Sequence, residues 1–178
     1  LLQFIEKALN NVGEMYYSIM TATHNGQKQI FRERVFCYEL YHQMRCLQIT
    51  NPSFFSINID PEIDKRGHEI IDENINPDFI IHERGTMKKN CAVIEVKVSL
   101  DNDDIVDDFQ KLCCMINNYN YIIGVFILIN NNYCKFVEKA REKLKNICFQ
   151  VAKNKIYVLC KESKKSNLIR KKLSDIII

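Results

Sequence analysis

The sequence predicts an α/β protein with a mixed central sheet and helices on both sides. A run of strands between residues 54 and 98 is followed by a helix and then by the nearly all-apolar stretch Tyr121–Asn130. A helix between two strands is the kind of connection that parallel pairing requires. An uninterrupted apolar stretch indicates a strand that is buried on both faces. The chain is therefore expected to form a three-strand meander, a crossover helix and a central parallel strand.

Two helices are predicted before the sheet. Leu1 to about Met20 and about Gln29 to Gln48 place their apolar residues near helical spacing. His24-Asn25-Gly26 predicts the turn between them, and Asn51-Pro52-Ser53 ends the second helix.

The meander is predicted from alternation and turn residues. Phe54–Asp60 alternates apolar with polar side chains, as a half-buried strand does, and Ile70–Ile75 is expected to continue the sheet edge. Phe79–Glu83 and Cys91–Val98 are predicted strands, and Arg84–Asn90 is predicted to join them as a hairpin.

The second half alternates helices with strands. Asp101 to about Asn118 is expected to be helical, because the aspartates of its first turns suit the positive end of a helix dipole. Tyr133 to about Phe149 is expected to form an amphipathic basic helix, and Lys155–Cys160 a last strand. Ser163–Ile178 is basic and then apolar, and its pattern is the weakest.

Length and composition indicate one domain over residues 1–178, with its core at about 29–130 and a C-terminal helix, strand and basic tail at 131–178. Hydrophobic residues make up 47% of the chain, enough for a substantial core. The net charge of +3 permits a nucleic-acid partner without requiring one.

No apolar run reaches the ~18 residues of a membrane span, and no targeting signal is visible, so the expected location is the cytoplasm, away from membranes. The numbered chain begins with Leu1, which indicates a fragment or a processed form. Its eight cysteines include no Cys-x-x-Cys pair and are expected to be reduced and mostly buried. A zinc site is the weaker interpretation, because the four histidines are scattered.

Two carboxylates and one lysine interrupt the apolar strands. Asp78 opens one apolar run, in Asn76-Pro77-Asp78-Phe79-Ile80-Ile81, and Glu95 and Lys97 lie inside the next, in Val93–Val98. Side chains alternate along a strand, so Glu95 and Lys97 share a face. If the hairpin turns near residues 87 and 88, Asp78 faces the region of Lys97, and Glu95 is a diagonal neighbour within ~7–8 Å.

Carboxylates in an apolar setting are costly unless they pair or hold a metal. Mg²⁺ is usually bound by one or two carboxylates together with water and phosphate oxygens. Such a metal polarises a phosphoryl group and lowers the pKa of a bound water, and a lysine beside it can orient that water or neutralise charge on the phosphate. The expected chemistry is hydrolysis of a phosphodiester by metal-activated water, with Mg²⁺ as the cofactor and Mn²⁺ as its substitute.

Asn76-Pro77-Asp78, followed by Ile94-Glu95-Val96-Lys97, resembles the signature of the PD-(D/E)XK nuclease superfamily, which includes many restriction endonucleases. The chain is also similar to small bacterial restriction-endonuclease-like proteins of unknown role. That similarity covers residues 76–85 and 93–97, Glu33-Arg34, and Asp108-Phe109-Gln110-Lys111-Leu112. The likeness spans roughly residues 29–130 and implies a restriction endonuclease-like core.

The resemblance also implies a role for each residue of the motif. Asp78 and Glu95 would ligate Mg²⁺, and the Val96 carbonyl would add a backbone ligand. Lys97 would position or activate the water.

A helix carboxylate is the fourth catalytic residue that the resemblance implies. Glu33 is the first candidate, reaching the metal directly or through water. Glu39 is the alternative, but it is six residues further on and so lies ~600° around the helix, on a different face. His82, Arg84 and Lys111 are supporting candidates. His82 and Arg84 would share the face of Asp78 and line a phosphate track, although an ordinary hairpin surface is the commoner role.

The sequence thus predicts a Mg²⁺-dependent endonuclease, with DNA favoured over RNA as the substrate. The alternative is a catalytically silent nuclease-fold module that binds nucleic acid or a partner protein. Many nucleases of this fold act as dimers, so the resemblance also suggests a homodimer.

Overall fold

A six-stranded mixed sheet forms the centre of the computed structural model, which describes residues 1–23, 26–54, 56–61, 75–83, 89–100 and 105–177. These residues form eight strands: β1 (Ile19–Thr23), β2 (Gly26–Ile30), β3 (Asn58–Pro61), β4 (Phe79–His82), β5 (Asn90–Lys97), β6 (Ile123–Ile129), β7 (Ile156–Lys161) and β8 (Ile169–Lys172). They also form four α-helices: α1 (Leu2–Asn11), α2 (Glu33–Thr50), α3 (Ile105–Asn118) and α4 (Tyr133–Lys143).

The six strands of the main sheet lie side by side in chain order, from β3 at one edge to β8 at the other. β3, β4 and β5 form an antiparallel meander, and β8 is antiparallel to β7. β5, β6 and β7 are parallel, with α3 and α4 as the two crossover helices. β6 therefore lies between two parallel neighbours, which confirms the prediction for Tyr121–Asn130.

Helices cover both faces of the sheet, because the strands carry apolar side chains on both sides. On one face, Val93 and Phe126 pack with the buried stripes of α3 and α4. On the other face, Ile94 and Val125 pack with α1 and α2. This arrangement confirms the predicted α/β class with a mixed sheet between helices.

A glycine sets the distance between α3 and the sheet. A Cβ atom at Gly124 would lie 3.0 Å from Cδ1 of Ile116 on α3 and 3.2 Å from Cγ1 of Ile156 on β7. The missing side chain lets α3 sit close over β5 and β6, and α3 carries two of the charged residues described below.

The N-terminal prediction is wrong for residues 12–23 and 26–30, whereas His24 and Asn25 of the predicted turn lie outside the described residues. α1 ends at Asn11, and β1 and β2 pair as a separate antiparallel hairpin. Ile19, Thr21 and Thr23 are β-branched residues at alternate positions, which favours a strand over a helix. Gly26 has φ of +117°, a conformation that glycine adopts without the clash of a Cβ atom.

Other boundaries shift by a few residues. α2 begins at Glu33 rather than Gln29, and β3 is shorter than predicted, because Pro52–Phe54 forms a 3₁₀ turn. α4 ends at Lys143, earlier than Phe149.

The C-terminal stretch that lacked a clear pattern contains β8 and a short 3₁₀ turn, Leu173–Asp175. Three predicted features fall wholly or largely outside the described residues: the edge strand Ile70–Ile75, the tip of the hairpin at 84–88, and the start of the crossover helix at 101–104.

The register of the β4–β5 hairpin differs from the prediction. Phe79 pairs with Ile94 and Ile80 with Val93, so continuing the ladder by one residue puts Asp78 opposite Glu95 rather than Lys97. A bulge between Ile81 and His82 shifts the register near the turn. The pairing of His82 with Asn90 already differs from a turn centred near residues 87 and 88, so the error arises from the predicted turn centre rather than from the bulge.

The prediction that most cysteines are buried is wrong, although all eight are free thiols. Cys37, Cys113 and Cys160 are buried, and the other five are partly or fully exposed.

Among the helices of the described residues, none has the length and apolar character needed to cross a membrane.

Candidate active site

At one end of the β4–β5 pair, backbone N–H groups of β5 and the residue after it donate to carboxylates instead of to backbone carbonyls. The last backbone pair is Phe79–Ile94. Beyond it, the Val96 N–H donates to Oδ2 of Asp78 at 2.7 Å, and the Val98 N–H donates to Oε2 of Glu33 at 3.3 Å. Two acidic side chains therefore satisfy amides that would otherwise lack a strand partner.

A second group of charges lies on the α3 face of β5. Val93 is part of the core under α3, and alternation places Glu95 and Lys97 on the same face. Glu95 is only 2% exposed, and its Oε2 lies 3.5 Å from Nζ of Lys111 on α3. The prediction that Glu95 and Lys97 share one face is confirmed.

Asp108 connects the two lysines. Its Oδ2 lies 3.1 Å from Nζ of Lys97, and its Oδ1 lies 3.3 Å from Nζ of Lys111. Asp108 and Lys111 are one helical turn apart on α3, so both reach the same side of the sheet. α3 thus places one carboxylate and one ammonium directly over the end of β5.

The formal charges of this group do not balance. Four carboxylates (Glu33, Asp78, Glu95 and Asp108) face two ammoniums (Lys97 and Lys111), so full ionisation leaves −4 + 2 = −2 among these described residues. A buried excess of negative charge is unfavourable unless protons or a cation neutralise it.

Burial raises the pKa of Glu95 well above its usual range, and the neighbouring Asp78 raises it further, while Lys111 lowers it. Burial also raises the pKa of Asp78, against the opposing effect of the Val96 N–H. The pKa of Glu33 is raised by burial too, although Lys97 opposes the shift.

The pKa of Lys111 is raised by its charged neighbours rather than by burial. Burial lowers the pKa of Lys111, but the carboxylates of Glu95 and Asp108 outweigh this effect and raise it overall. The raised pKa of Lys111 favours its charged form, and the raised pKa values of Glu95 and Asp78 favour protonation, which would reduce the negative charge of the group.

Asp78, which directly precedes β4, and Glu95 on β5 are the two carboxylates that could hold a hard divalent cation. Oε1 of Glu95 is buried without a hydrogen-bond partner among the described residues. No cluster of three or more histidine, cysteine, aspartate or glutamate side chains within the described ranges is arranged to hold a metal. Mg²⁺ needs only one or two carboxylates when water and substrate phosphate fill its other positions.

The structure brings most of the predicted site residues together. Asp78, Glu95, Lys97 and Lys111 belong to one group, and of the two helix carboxylates it is Glu33 that reaches β5. Glu39 instead accepts a hydrogen bond from Gln43 on its own helix.

The hairpin candidates are placed differently. His82 lies 2.8 Å from Asp60 of β3, which gives it a partner outside the carboxylate group. Arg84 lies outside the described residues. The Val96 N–H is bound by Asp78, and a ligand role for the Val96 carbonyl stays a prediction.

Asp108 is the residue that sequence reasoning missed as a site residue. It was quoted in the Asp108–Leu112 stretch of the resemblance and as one of several aspartates at a helix start, but no role was assigned to it; in the structure it is 4% exposed and contacts both lysines. The signal that distinguishes it is position: Asp108 is directly followed by Phe109, on the buried stripe of α3, whereas Asp107 is exposed.

No protein-family model, curated protein or solved structure matches this chain.

Proposed function

We propose that this protein is a metal-dependent nuclease that hydrolyses phosphodiester bonds, with DNA as the favoured substrate. The observation that carries the proposal is that Asp78, which directly precedes β4, lies at the same end of the β4–β5 pair as Glu95 and Lys97, with its carboxylate bound to the Val96 N–H. The excess negative charge of this buried group supports a divalent cation as its natural counter-ion.

The proposal extends to the core of the fold. A helix, a three-strand meander, a crossover helix and a parallel strand follow one another from α2 to β6. This is the order expected of a restriction endonuclease-like core, and it supports assigning that core to residues 29–130.

Each residue of the group has a task in this proposal. Asp78 and Glu95 would hold Mg²⁺, and Glu33 would reach it directly or through water. A bound Mg²⁺ would polarise the scissile phosphate and lower the pKa of an attacking water. Lys97, held at the end of β5 by Asp108, would orient that water or neutralise charge that develops on the phosphate.

The test is incubation of the protein with linear, circular and single-stranded DNA, and with RNA, in Mg²⁺, Mn²⁺ or EDTA. The wild type should cut only when metal is present. Asp78→Asn, Glu95→Gln and Lys97→Met should each reduce cleavage by at least 100-fold, on the order of what one catalytic group contributes.

Asp107→Asn is the matched control, because Asp107 is adjacent to Asp108 in sequence but exposed to solvent. It should cut like the wild type. Cleavage that survives all three site substitutions contradicts the proposal. Binding of nucleic acid without metal-dependent cleavage on any substrate would favour the silent binding module instead.

A further inference from the structure

A cleft of about 500 Å³ opens beside the carboxylates, at the start of α2. It is lined by Arg32, Glu33, Arg34, Val35, Cys37, Tyr38 and Asp78. Two of these residues, Glu33 and Asp78, belong to the candidate active site. The volume lies within the ~300–1,000 Å³ range of small-ligand sites, so the cleft is large enough for one nucleotide.

The other lining residues have a different chemistry. Arg32 and Arg34 are exposed cations, and Tyr38 is 57% exposed despite its large apolar ring. Arg34 and Tyr38 are four residues apart on α2 and therefore lie on the same face of the helix. The cleft therefore combines cationic and aromatic side chains with the carboxylates of Glu33 and Asp78.

We propose that this cleft holds one unpaired nucleotide of a single-stranded DNA substrate, with its base stacked on Tyr38 and an adjacent phosphate bound by Arg32. The inference rests on the proposed function and specifies the substrate form. Aromatic rings bind bases of any sequence through their faces, and cationic side chains beside them bind the backbone. The exposed cations Arg32 and Arg34 would attract the phosphates of such a strand on their side of the cleft.

The location of the cleft makes this occupant useful to the proposed reaction. Glu33 lines the cleft and also accepts the Val98 N–H at the end of β5. A nucleotide anchored on Tyr38 would therefore hold the adjoining phosphodiester near Asp78. Base pairing would compete with this stacking, so the cleft favours unpaired strands over duplex.

The test measures binding separately from cleavage. Fluorescence anisotropy with a labelled 12-nucleotide single strand, the same sequence as a duplex, and the corresponding RNA is recorded in EDTA. We expect the wild type to bind the DNA single strand more tightly than the duplex. Tyr38→Ala should weaken single-strand binding about 5- to 150-fold, as expected for loss of one base stack, whereas Tyr38→Phe should keep it.

Arg32→Ala should reduce the slope of log K against log salt by about 0.7, as loss of one phosphate contact on a single strand does. Arg45→Ala and Ile49→Ala are the matched controls: both residues are exposed on α2, and Arg45 is ~20 Å along the helix from Arg32 at 1.5 Å per residue. Both control variants should bind like the wild type.

Unchanged affinity in Tyr38→Ala, equal loss in Tyr38→Phe, or tighter binding of duplex or RNA than of single-stranded DNA would each overturn the assignment. These outcomes are independent of the nuclease proposal. Metal-dependent cleavage with unchanged Tyr38→Ala binding would reject only the cleft, and Tyr38-dependent binding without any cleavage would reject only the nuclease.

Discussion

Nζ of Lys97 lies 3.1 Å from Oδ2 of Asp108, and the two side chains are only 14% and 6% exposed. One residue comes from β5 and the other from α3. Their contact holds the lysine ammonium at the end of the strand, next to the carboxylates that the proposed reaction uses. Asp108 is therefore a positioning residue for Lys97.

Asp108→Ala is expected to destabilise the protein by about 3 kcal/mol, because it removes an anionic partner of the largely buried Lys97. Lys111 keeps Glu95 as a second partner, which places the loss at the lower end of the range for broken buried pairs. Urea denaturation followed by circular dichroism gives the free energy of unfolding. Asp107→Ala is the control and should change it by no more than ~0.5 kcal/mol. Equal effects of the two substitutions would show that the Asp108 contacts do not stabilise the fold.

Lys111→Met is expected to raise the pKa of Glu95 further, because Lys111 lowers that pKa in the wild type. Carboxyl ¹³C NMR of metal-free protein across a pH series measures the midpoint directly. If the protein cleaves DNA, the acidic limb of its pH–rate profile should move to higher pH in the same variant, since Glu95 must ionise to bind metal. Lys155→Met, which alters an exposed lysine outside the group, should leave both midpoints in place.

Glu95→Gln is expected to make the metal-free protein more stable at pH 8 and to flatten its dependence on pH. The folded pKa of Glu95 is raised above the ordinary value of 4.5, so the unfolded chain loses this proton first as the pH rises. The contribution of Glu95 to the free energy of unfolding is therefore greatest below pH 4.5. It decreases as the pH rises, until the pH exceeds the raised pKa of Glu95 in the folded protein. Glutamine does not titrate and has no such loss. Thermal melts in EDTA between pH 4.5 and 8 compare the two proteins, and parallel curves would refute the assigned shift.

Mg²⁺ is expected to stabilise the folded protein by about 1.4 kcal/mol when its free concentration is ten times the dissociation constant. For a chain of this size, that corresponds to a rise of roughly 3–6 °C in Tm. Differential scanning calorimetry at constant ionic strength measures the rise, with NaCl as the salt control. The double variant Asp78→Asn, Glu95→Gln should show no rise. A rise of the same size in that variant would place the ion elsewhere.

Gly124→Ala is expected to cost about 1–3 kcal/mol of stability, because the added methyl group would meet Ile116 and Ile156 at 3.0–3.2 Å. Relief of this contact would move α3, and Asp108 and Lys111 move with it. Urea denaturation reports the cost. Gly13→Ala is the control, since a Cβ atom there would make an ordinary contact of 3.5 Å with Tyr16. A loss in Gly124→Ala no greater than in the control would show that α3 tolerates the extra volume.

Alternation along β5 was sufficient to predict that Glu95 and Lys97 share one face, because the period of a strand is fixed by its backbone. The crossover helix and the buried β6 were likewise predictable from continuous apolar patterns. The register of Asp78 was not, since it depends on the centre of the turn and on a bulge near His82, and the hydrophobic pattern specifies neither.

The N-terminal hairpin and the role of Asp108 show a second limit of prediction from the sequence alone. Ile19 falls near the helical spacing of the residues before it, which predicted a helix to about Met20, whereas α1 ends at Asn11 and Ile19–Thr23 forms β1. Asp108 becomes part of the site only because α3 lies over β5. A contact between elements distant in sequence cannot be obtained from periodicity within either one.

The chain-order arrangement of the main sheet has a consequence for how the protein is made. Each strand from β4 to β8 pairs with the strand synthesised just before it, so no strand must wait for a distant segment or insert between two that are already paired. Pairing between consecutive strands keeps the connecting segments short and so lowers the entropic cost of closing each loop. All residues from Glu33 to Lys111 precede β6 in the chain. The carboxylate and lysine group can therefore assemble on a nascent chain while the last two strands are still being translated.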